Sequence, residues 1–408
     1  MYYRNCNFTY GGSDHDGGLY PVGGRILGGS SVGIRFTRST GIYQDFNTID
    51  TPLLIDGFYG EGFKKDGIRV RQNDFKLVNS VLNNCVQVFA TEALTGFNVS
   101  SNTLTQTNVV TAFASNAADD VTIHHNKMVD SQITIDAASD RVVISKNTLT
   151  FGSALASNLT SGGFAILANG SDTKVIENFV DTSTISGDFR ACSTAGTSNR
   201  IWLARNTFRG NGIWETWYGT GSGRRWIEGN YFYNGGGGND TGSGYGGMVI
   251  ASGTADYKFA NNVWEDGTAS NVVGFYTGGR IEVSDTFLCK SHFASGITGP
   301  LYIKGGMHQS ATATTIVEPN AIVEGNNFAT NPTLTGATLA TRGNRVADAL
   351  SVTAAALAIS TNNDVALPVT DQVRLDPHAS NSIVTSFVAR ADGTEVTIIC
   401  TDAGAATL

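Results

Sequence analysis

The feature that most restricts this chain is a short motif that keeps returning. It reads as two apolar residues two apart, an Asn three further on, and a large apolar residue two after that. The clearest copies are Val121/Ile123/Asn126/Met128, Val142/Ile144/Asn147/Leu149, Ile201/Leu203/Asn206/Phe208 and Tyr257/Phe259/Asn262/Trp264. Others centre on Asn102, Asn178, Asn230 and Asn326, and weaker copies put Asp56, Ser80 and Thr286 in the Asn position. The base period is roughly 22 to 24 residues, interrupted by insertions. Apolar residues spaced by two describe strands rather than helices, because successive strand side chains point to opposite faces. A strand-bearing unit of this length cannot bury its apolar face alone, so it must stack on copies of itself.

A further short strand precedes each motif, as in Gln132-Ile133-Thr134-Ile135-Asp136, Phe164-Ala165-Ile166-Leu167 and Gly247-Met248-Val249-Ile250. The sequence therefore predicts an all-β, right-handed, single-stranded parallel β-helix of about 10 to 12 coils with three strands per coil. Leucine-rich repeats share the period, but their consensus positions demand Leu, whereas these vary among Val, Ile, Phe, Tyr and Trp. The recurring Asn is assigned to scaffold: its amide suits a left-handed bend between strands and can bond the matching Asn of the next coil. Near Val346 the motif fades, which places a β-helix body at 1–346. A β-rich module follows at 347–408, expected to be sandwich-like and to serve trimerisation or glycan binding. There a turn at Asp392-Gly393 feeds a half-buried strand. Both ends read as cut from a longer polypeptide, since Asn5-Cys6-Asn7-Phe8 already resembles a coil without a cap.

Composition narrows the function classes. With 49 Gly, 7 Pro, 15% charged and 41% hydrophobic residues, the chain is turn-rich and ordered. A formal net charge of −8 without a Lys/Arg cluster argues against nucleic acid and anionic membranes as partners. No apolar run approaches a membrane span, and no secretory leader pattern opens the chain. The five cysteines, Cys6, Cys85, Cys192, Cys289 and Cys400, are far apart and read as buried free thiols of a protein folded in a reducing cytoplasm. No cofactor or metal is expected. The adjacent pair His124-His125 should point to opposite strand faces and so not share an ion. Asp119-Asp120 and Ser171-Asp172 fit turn positions that bond local backbone. The glycines around Gly219, Gly221 and Gly223 lack the strand–turn–helix context of a phosphate loop.

Across roughly residues 1–346 the coil motif resembles the pectate-lyase-like superfamily of right-handed β-helices. Together with the β-rich tail around Ala391-Asp392-Gly393-Thr394-Glu395-Val396-Thr397-Ile398-Ile399, the chain more specifically resembles bacteriophage tailspikes. That resemblance implies a homotrimer that degrades bacterial surface polysaccharide, a virion-tail protein made in the host cytoplasm. It also implies a separate N-terminal virion-binding part that is not in this chain, and catalytic carboxylates in grooves on or between subunits. Tailspikes share no catalytic motif, so no site residue follows from the resemblance.

Site residues must come from chemistry. Insertions concentrate between about 150 and 265, where loops leave the stack and can wall a groove. In Gly212-Ile213-Trp214-Glu215-Thr216-Trp217-Tyr218-Gly219, three aromatics surround one carboxylate. Such rings stack on sugars and desolvate Glu215, as a general acid requires. One coil earlier, Gly187-Asp188-Phe189-Arg190 supplies Asp188 as the second carboxylate of a glycosidase pair. Arg190 either holds an acidic sugar or pairs with Asp188. Asp136 is a third catalytic candidate on the same outward row. Trp214, Trp217, Tyr218, Arg190, Tyr245 and Asp240 are the predicted substrate-binding residues, the last two on the glycine-rich rim 234–245. Three functions stay open: a hydrolase cutting capsule or O-antigen, a lyase of the same fold acting on uronates, and a non-catalytic glycan-binding adhesin.

Overall fold

A computed structural model describes residues 2–10, 24–28, 30–33, 42–43, 52–63, 68–70, 73–85, 88–90, 94–115, 117–152, 163–184, 189–194, 199–210, 217–219, 223–233, 248–250, 255–265, 273–275, 279–288, 299–308, 315–317, 321–328, 333–335, 340–346, 364–365, 372–375, 386–387 and 397–400. Among them there are strands and turns but no helix, and every strand pairing is parallel. The protein is a parallel β-solenoid. A first sheet stacks fifteen strands in strict chain order, from Tyr2–Arg4 to Ala340–Arg342. A second, 23-stranded sheet carries most of the other strands of the coils, and Thr315–Val317 pairs with Thr333–Thr335 in a separate two-stranded sheet. Thr103–Ser115 and Lys127–Ile135 are long enough to run from one column of the 23-stranded sheet into the other, which joins them. The expected strand preceding each motif is present, as in Gly163–Ala168 and Met248–Ile250.

The first sheet holds four more strands than the eleven motif copies found in the sequence. The rung Leu301–Lys304 sits in the gap between Thr286 and Asn326, hidden because Gly306 takes the Asn position. The rungs at Tyr2–Arg4, Gly24–Leu27 and Ala340–Arg342 complete the count. One assignment is corrected: Asp56 is not in the Asn position. It pairs with Val78 at the end of its strand, and Phe58 occupies the slot, donating its N–H to Ser80 Oγ at 3.0 Å.

The inward face is apolar at alternate positions. Val121, Ile123, Ile144, Leu203, Phe208 and Phe259 have essentially no exposure. Like side chains stack coil on coil, with Phe75 on Phe97 and Phe208 on Phe232 at ring-centroid distances of 5.5 Å each. Each such burial stabilises by about 1.5–3 kcal/mol, which is where a solenoid without a globular core finds its stability. Arg225, 1% exposed, stands in an inward position between Ile201 and Tyr257 of the neighbouring rungs.

The Asn ladder is present, with one change to its mechanics. From Asn102 through Asn126, Asn147, Asn178, Asn206 and Asn230 to Asn262, each Nδ2 donates to the next Asn Oδ1 at 2.9–3.0 Å. Each also reaches back to a backbone carbonyl of the preceding coil, as Asn147 does to Ile123 at 2.8 Å. The left-handed bend, however, falls on the residue before the Asn. All fifteen rungs of the first sheet end on such a residue, six of them Gly and nine not, including His125 (φ 55°), Lys146 (56°) and Glu177 (57°). The bend turns that residue's N–H onto the next coil, as His125 N–H donates to Ser145 O at 3.1 Å. It costs a non-Gly residue about 1–2 kcal/mol, offset by these bonds.

The bend also overturns the reading of His124-His125. A left-handed residue breaks strand alternation, so the rings meet rather than diverge, with Nδ1 atoms 2.7 Å apart. Burial, then His125 and Lys146, holds His124 below the usual histidine range. Asp119, Asp120 and Asp172 lie at turns, but their carboxylates bond the neighbouring coil and not local backbone. Asp119 Oδ1 accepts the N–H of Asp140 at 3.0 Å, and Arg141 lies within ion-pair distance of Asp119, Asp120 and Asp140. Among the described residues no group of three or more His, Cys, Asp or Glu is placed to hold a metal ion. Cys6, Cys85 and Cys192 are free thiols, the last two buried, and burial pushes the Cys192 thiol up.

Within 347–408 four short strands are described. Asp364–Val365 pairs with Ser386–Phe387 at an offset of 22 residues, and Gln372–Leu375 with Thr397–Cys400 at an offset of 25. Both pairings are parallel and at the spacing of the coils above.

Candidate functional site

Outward positions on the first sheet alternate with the buried ones, so the strand Ile201–Ala204 sends Trp202 out between Ile201 and Leu203. One coil on, Arg224–Glu228 sends Trp226 out between Arg225 and Ile227. Strict register then builds a row along the solenoid: Lys174, Trp202, Trp226, Lys258, Glu282 and Tyr302. The two indoles stack at 4.4 Å with an interplanar angle of 6°, and Lys174 Nζ lies 5.6 Å from the Trp202 ring.

Two hollows open beside this stack. One, of about 300 Å³, is bounded by Trp226, Arg224, Asp256, Lys258, Arg280 and Glu282. The other, of about 400 Å³, lies at the corner leading into the sheet, between Asn199, Arg200, Gly223, Arg224 and Asp256. They share Arg224 and Asp256 and so form one groove across the corner. Gly223 is required there. Its φ is +91°, and a Cβ would fall 2.2 Å from Asn199 Oδ1.

Arg280 organises the acidic side of the groove. Its backbone N–H donates to Asp256 Oδ1 at 2.9 Å and its guanidinium to Glu282 Oε2 at 3.3 Å, while it covers Tyr302 at 4.8 Å. One strand step and two residues separate Asp256 from Glu282, which puts their Cα atoms roughly 8 Å apart. Arg200 is tied to Asp172. Arg224 and Lys258 hold no ion pair among the described residues.

A second charged and aromatic row runs along the second sheet, through Asp181, Arg209, Tyr233 and Glu265 in register. Arg209 pairs with Asp181 at 3.3 Å and covers the Tyr233 ring at 5.4 Å. The Tyr231 hydroxyl donates to Glu265, and that bond is the first cause of its pKa being pushed up to about 12. Strands Thr207–Arg209 and Tyr231–Tyr233 lead into the insertions that contain Glu215 and Asp240.

The residues chosen from the sequence fall partly outside the description. Asp188, Trp214, Glu215, Asp240 and Tyr245 lie outside the described residues. Trp217, Tyr218 and Arg190 are described in backbone only, in strands Trp217–Gly219 and Phe189–Thr194, where Cys192 pairs with Trp217 and Phe164 with Arg190. Asp136 follows the strand Lys127–Ile135 and caps its own turn, its Oδ1 accepting the Ala138 N–H at 2.9 Å. The Trp202–Trp226 groove was not anticipated. Its signal was a Trp in the outward position of two consecutive motif copies, Ile201-Trp202-Leu203 and Arg225-Trp226-Ile227.

No protein-family model matches the chain. No curated protein sequence matches it either. Among solved structures it is similar to PfbA, a surface adhesin of Streptococcus pneumoniae, at 10% identity and a TM-score of 0.39, covering 78% of this chain and 82% of that one. It is also similar to the catalytic domain of a GH87 alpha-1,3-glucanase, in complex with tetrasaccharides (10%, TM-score 0.42) and with nigerose (10%, 0.34). Each glucanase match covers 84% of this chain, which spans 64% of the glucanase chain.

Proposed function

We propose that this chain is a polysaccharide depolymerase of the tailspike kind, hydrolysing glycosidic bonds in a bacterial capsule or O-antigen. In this reading it acts at the host surface as a homotrimer carried on a virion tail through a further N-terminal part. Glu215 is the acid and Asp188 the base or nucleophile, with Trp214, Trp217, Tyr218, Arg190, Asp240 and Tyr245 lining the cleft. Asp136 is a third catalytic candidate, with Oδ1 accepting the Ala138 N–H of its own turn. The observation that carries the reading is the open groove walled by Trp226. A half-buried indole gives a sugar ring an apolar face, and the surrounding charged groups meet its hydroxyls. Gly219 and Arg224 are five residues apart in the chain, so the groove begins one corner from the strand that follows Glu215.

The test is digestion of purified capsules and O-antigens, read by product mass. Glu215→Gln and Asp188→Asn should each abolish cleavage and leave thermal unfolding unchanged. Two variants that both cut normally would refute that assignment. Products with new ultraviolet absorbance would mean elimination, and bound polymer of unchanged length would mean an adhesin. Trp226→Ala should weaken polymer binding roughly tenfold, about 1.4 kcal/mol, as loss of an anchoring aromatic does.

A further inference from the structure

The chain carries 35 acidic against 27 basic residues, so its average field repels anions. The groove beside Trp226 departs from that average. Four exposed cations, Arg200, Arg224, Lys258 and Arg280, bound its two hollows against the carboxylates of Asp256 and Glu282. Asp172 answers Arg200 and Glu282 answers Arg280, which leaves Arg224 and Lys258 as cations with no ion pair among the described residues. Asp256, the acid in register with Arg224, has Oδ1 occupied by the Arg280 N–H.

These two cations are placed around the indole. Arg224 lies two residues before Trp226 on the same strand and the same face, and Lys258 is in register with Trp226 on the next rung. The Cα atoms of Arg224 and Lys258 are therefore about 8 Å apart on a diagonal, with the ring at the corner between them. Long side chains at that spacing reach one acidic group, or two on neighbouring sugars, while the ring takes the apolar sugar face. A guanidinium further offers a planar fork matched to carboxylate or sulfate. A neutral glycan can use the ring but leaves the two cations without a counter-charge.

We infer that the Arg224–Trp226–Lys258 groove binds an anionic polysaccharide, one bearing a carboxylate or sulfate on its repeating unit. This rests on the polysaccharide reading above and adds the charge of the polymer. The experiment measures binding of the full chain to polygalacturonate, alginate, hyaluronan, polysialic acid and chondroitin sulfate, with dextran and pullulan as neutral polymers. At least one anionic polymer should bind and the neutral ones should not. The double variant R224A/K258A should lose about tenfold or more in affinity, as should wild type in about 0.5 M salt, while R224K, which keeps the charge without the fork, should lose less than the double variant. The carboxylate and sulfate polymers separate the two anion chemistries. Binding confined to dextran or pullulan would overturn the anionic inference and leave the polysaccharide reading standing. An anionic polymer held equally by R224A/K258A would overturn the assignment to this groove. No binding across the panel would remove the polysaccharide reading itself.

Discussion

Replacing Asn147 by Ala should cost roughly 4 kcal/mol of stability, among the larger effects a single side chain can have. Its Oδ1 accepts both the N–H and the Nδ2 of Asn126, at 3.0 and 2.9 Å, and its Nδ2 serves Ile123 O at 2.8 Å. Alanine keeps the backbone bond from residue 147 to Asn178 Oδ1 but strips the Asn126 N–H and the Ile123 carbonyl of this partner, leaves Asn126 Nδ2 only its bond to Val99 O, and takes one of two donors from Asn178 Oδ1. These groups are buried, at about 1–2 kcal/mol for each of the two stripped ones and less for the others. A milder substitution already exists in the protein. Ser80 holds the same position and accepts the Phe58 N–H at 3.0 Å through Oγ, so Asn147→Ser should recover about half the loss. Asn344 sits half-buried at the last rung, where water reaches it, and N344A should cost about 1 kcal/mol. Urea unfolding of the three variants, with amide exchange at Asn126 and Thr148, makes the comparison. Equal losses for N147A and N344A would mean that the interior ladder carries no special weight.

That ladder was legible because it asks for one residue type at one place in every coil. Legibility failed where a neighbour takes over the role of the Asn. Phe58 can occupy the slot because Ser80 supplies the acceptor, and the nearby polar Asp56 then mimics the missing amide in a sequence reading. Gly306 hides a whole rung in the same way, since its N–H is served by Asn326 Oδ1 at 2.9 Å. The meeting of His124 and His125 depends on a left-handed residue at 125, which strand alternation alone does not announce because the residue type there varies from coil to coil. For the candidate site the limit is different. The motif marks inward residues, and Trp202 and Trp226 stand in its unspecified outward positions. Their alignment follows from register, and register is exact only once the insertions between coils are placed. Arg225 illustrates the converse, a cation in a position the motif reserves for apolar side chains.

The concealed rung also supplies a pH dependence. His308 follows Gly306 by two, in the place of the large apolar residue of the motif, and is 2% exposed. Its ring stacks on Phe328 at 4.5 Å and 18°, with Nε2 3.4 Å from Asn326 Oδ1. Burial lowers its pKa to about 4, and the weak bond to Asn326, which favours the charged form, only partly opposes this. The unfolded chain titrates this side chain near 6.5, so below that pH the unfolded state binds the proton that the folded state refuses. Stability should be full above pH about 6.5, then fall by up to about 1.4 kcal/mol per unit. It should level off near pH 4, for a total loss of about 3 kcal/mol. H308L, apolar and still able to pack on Phe328, should show a smaller drop by that amount, because surface carboxylates titrate equally in both proteins. Urea midpoints of the two from pH 8 to 4 decide the matter, and parallel curves would mean that His308 is hydrated or already paired as a cation in the folded coil.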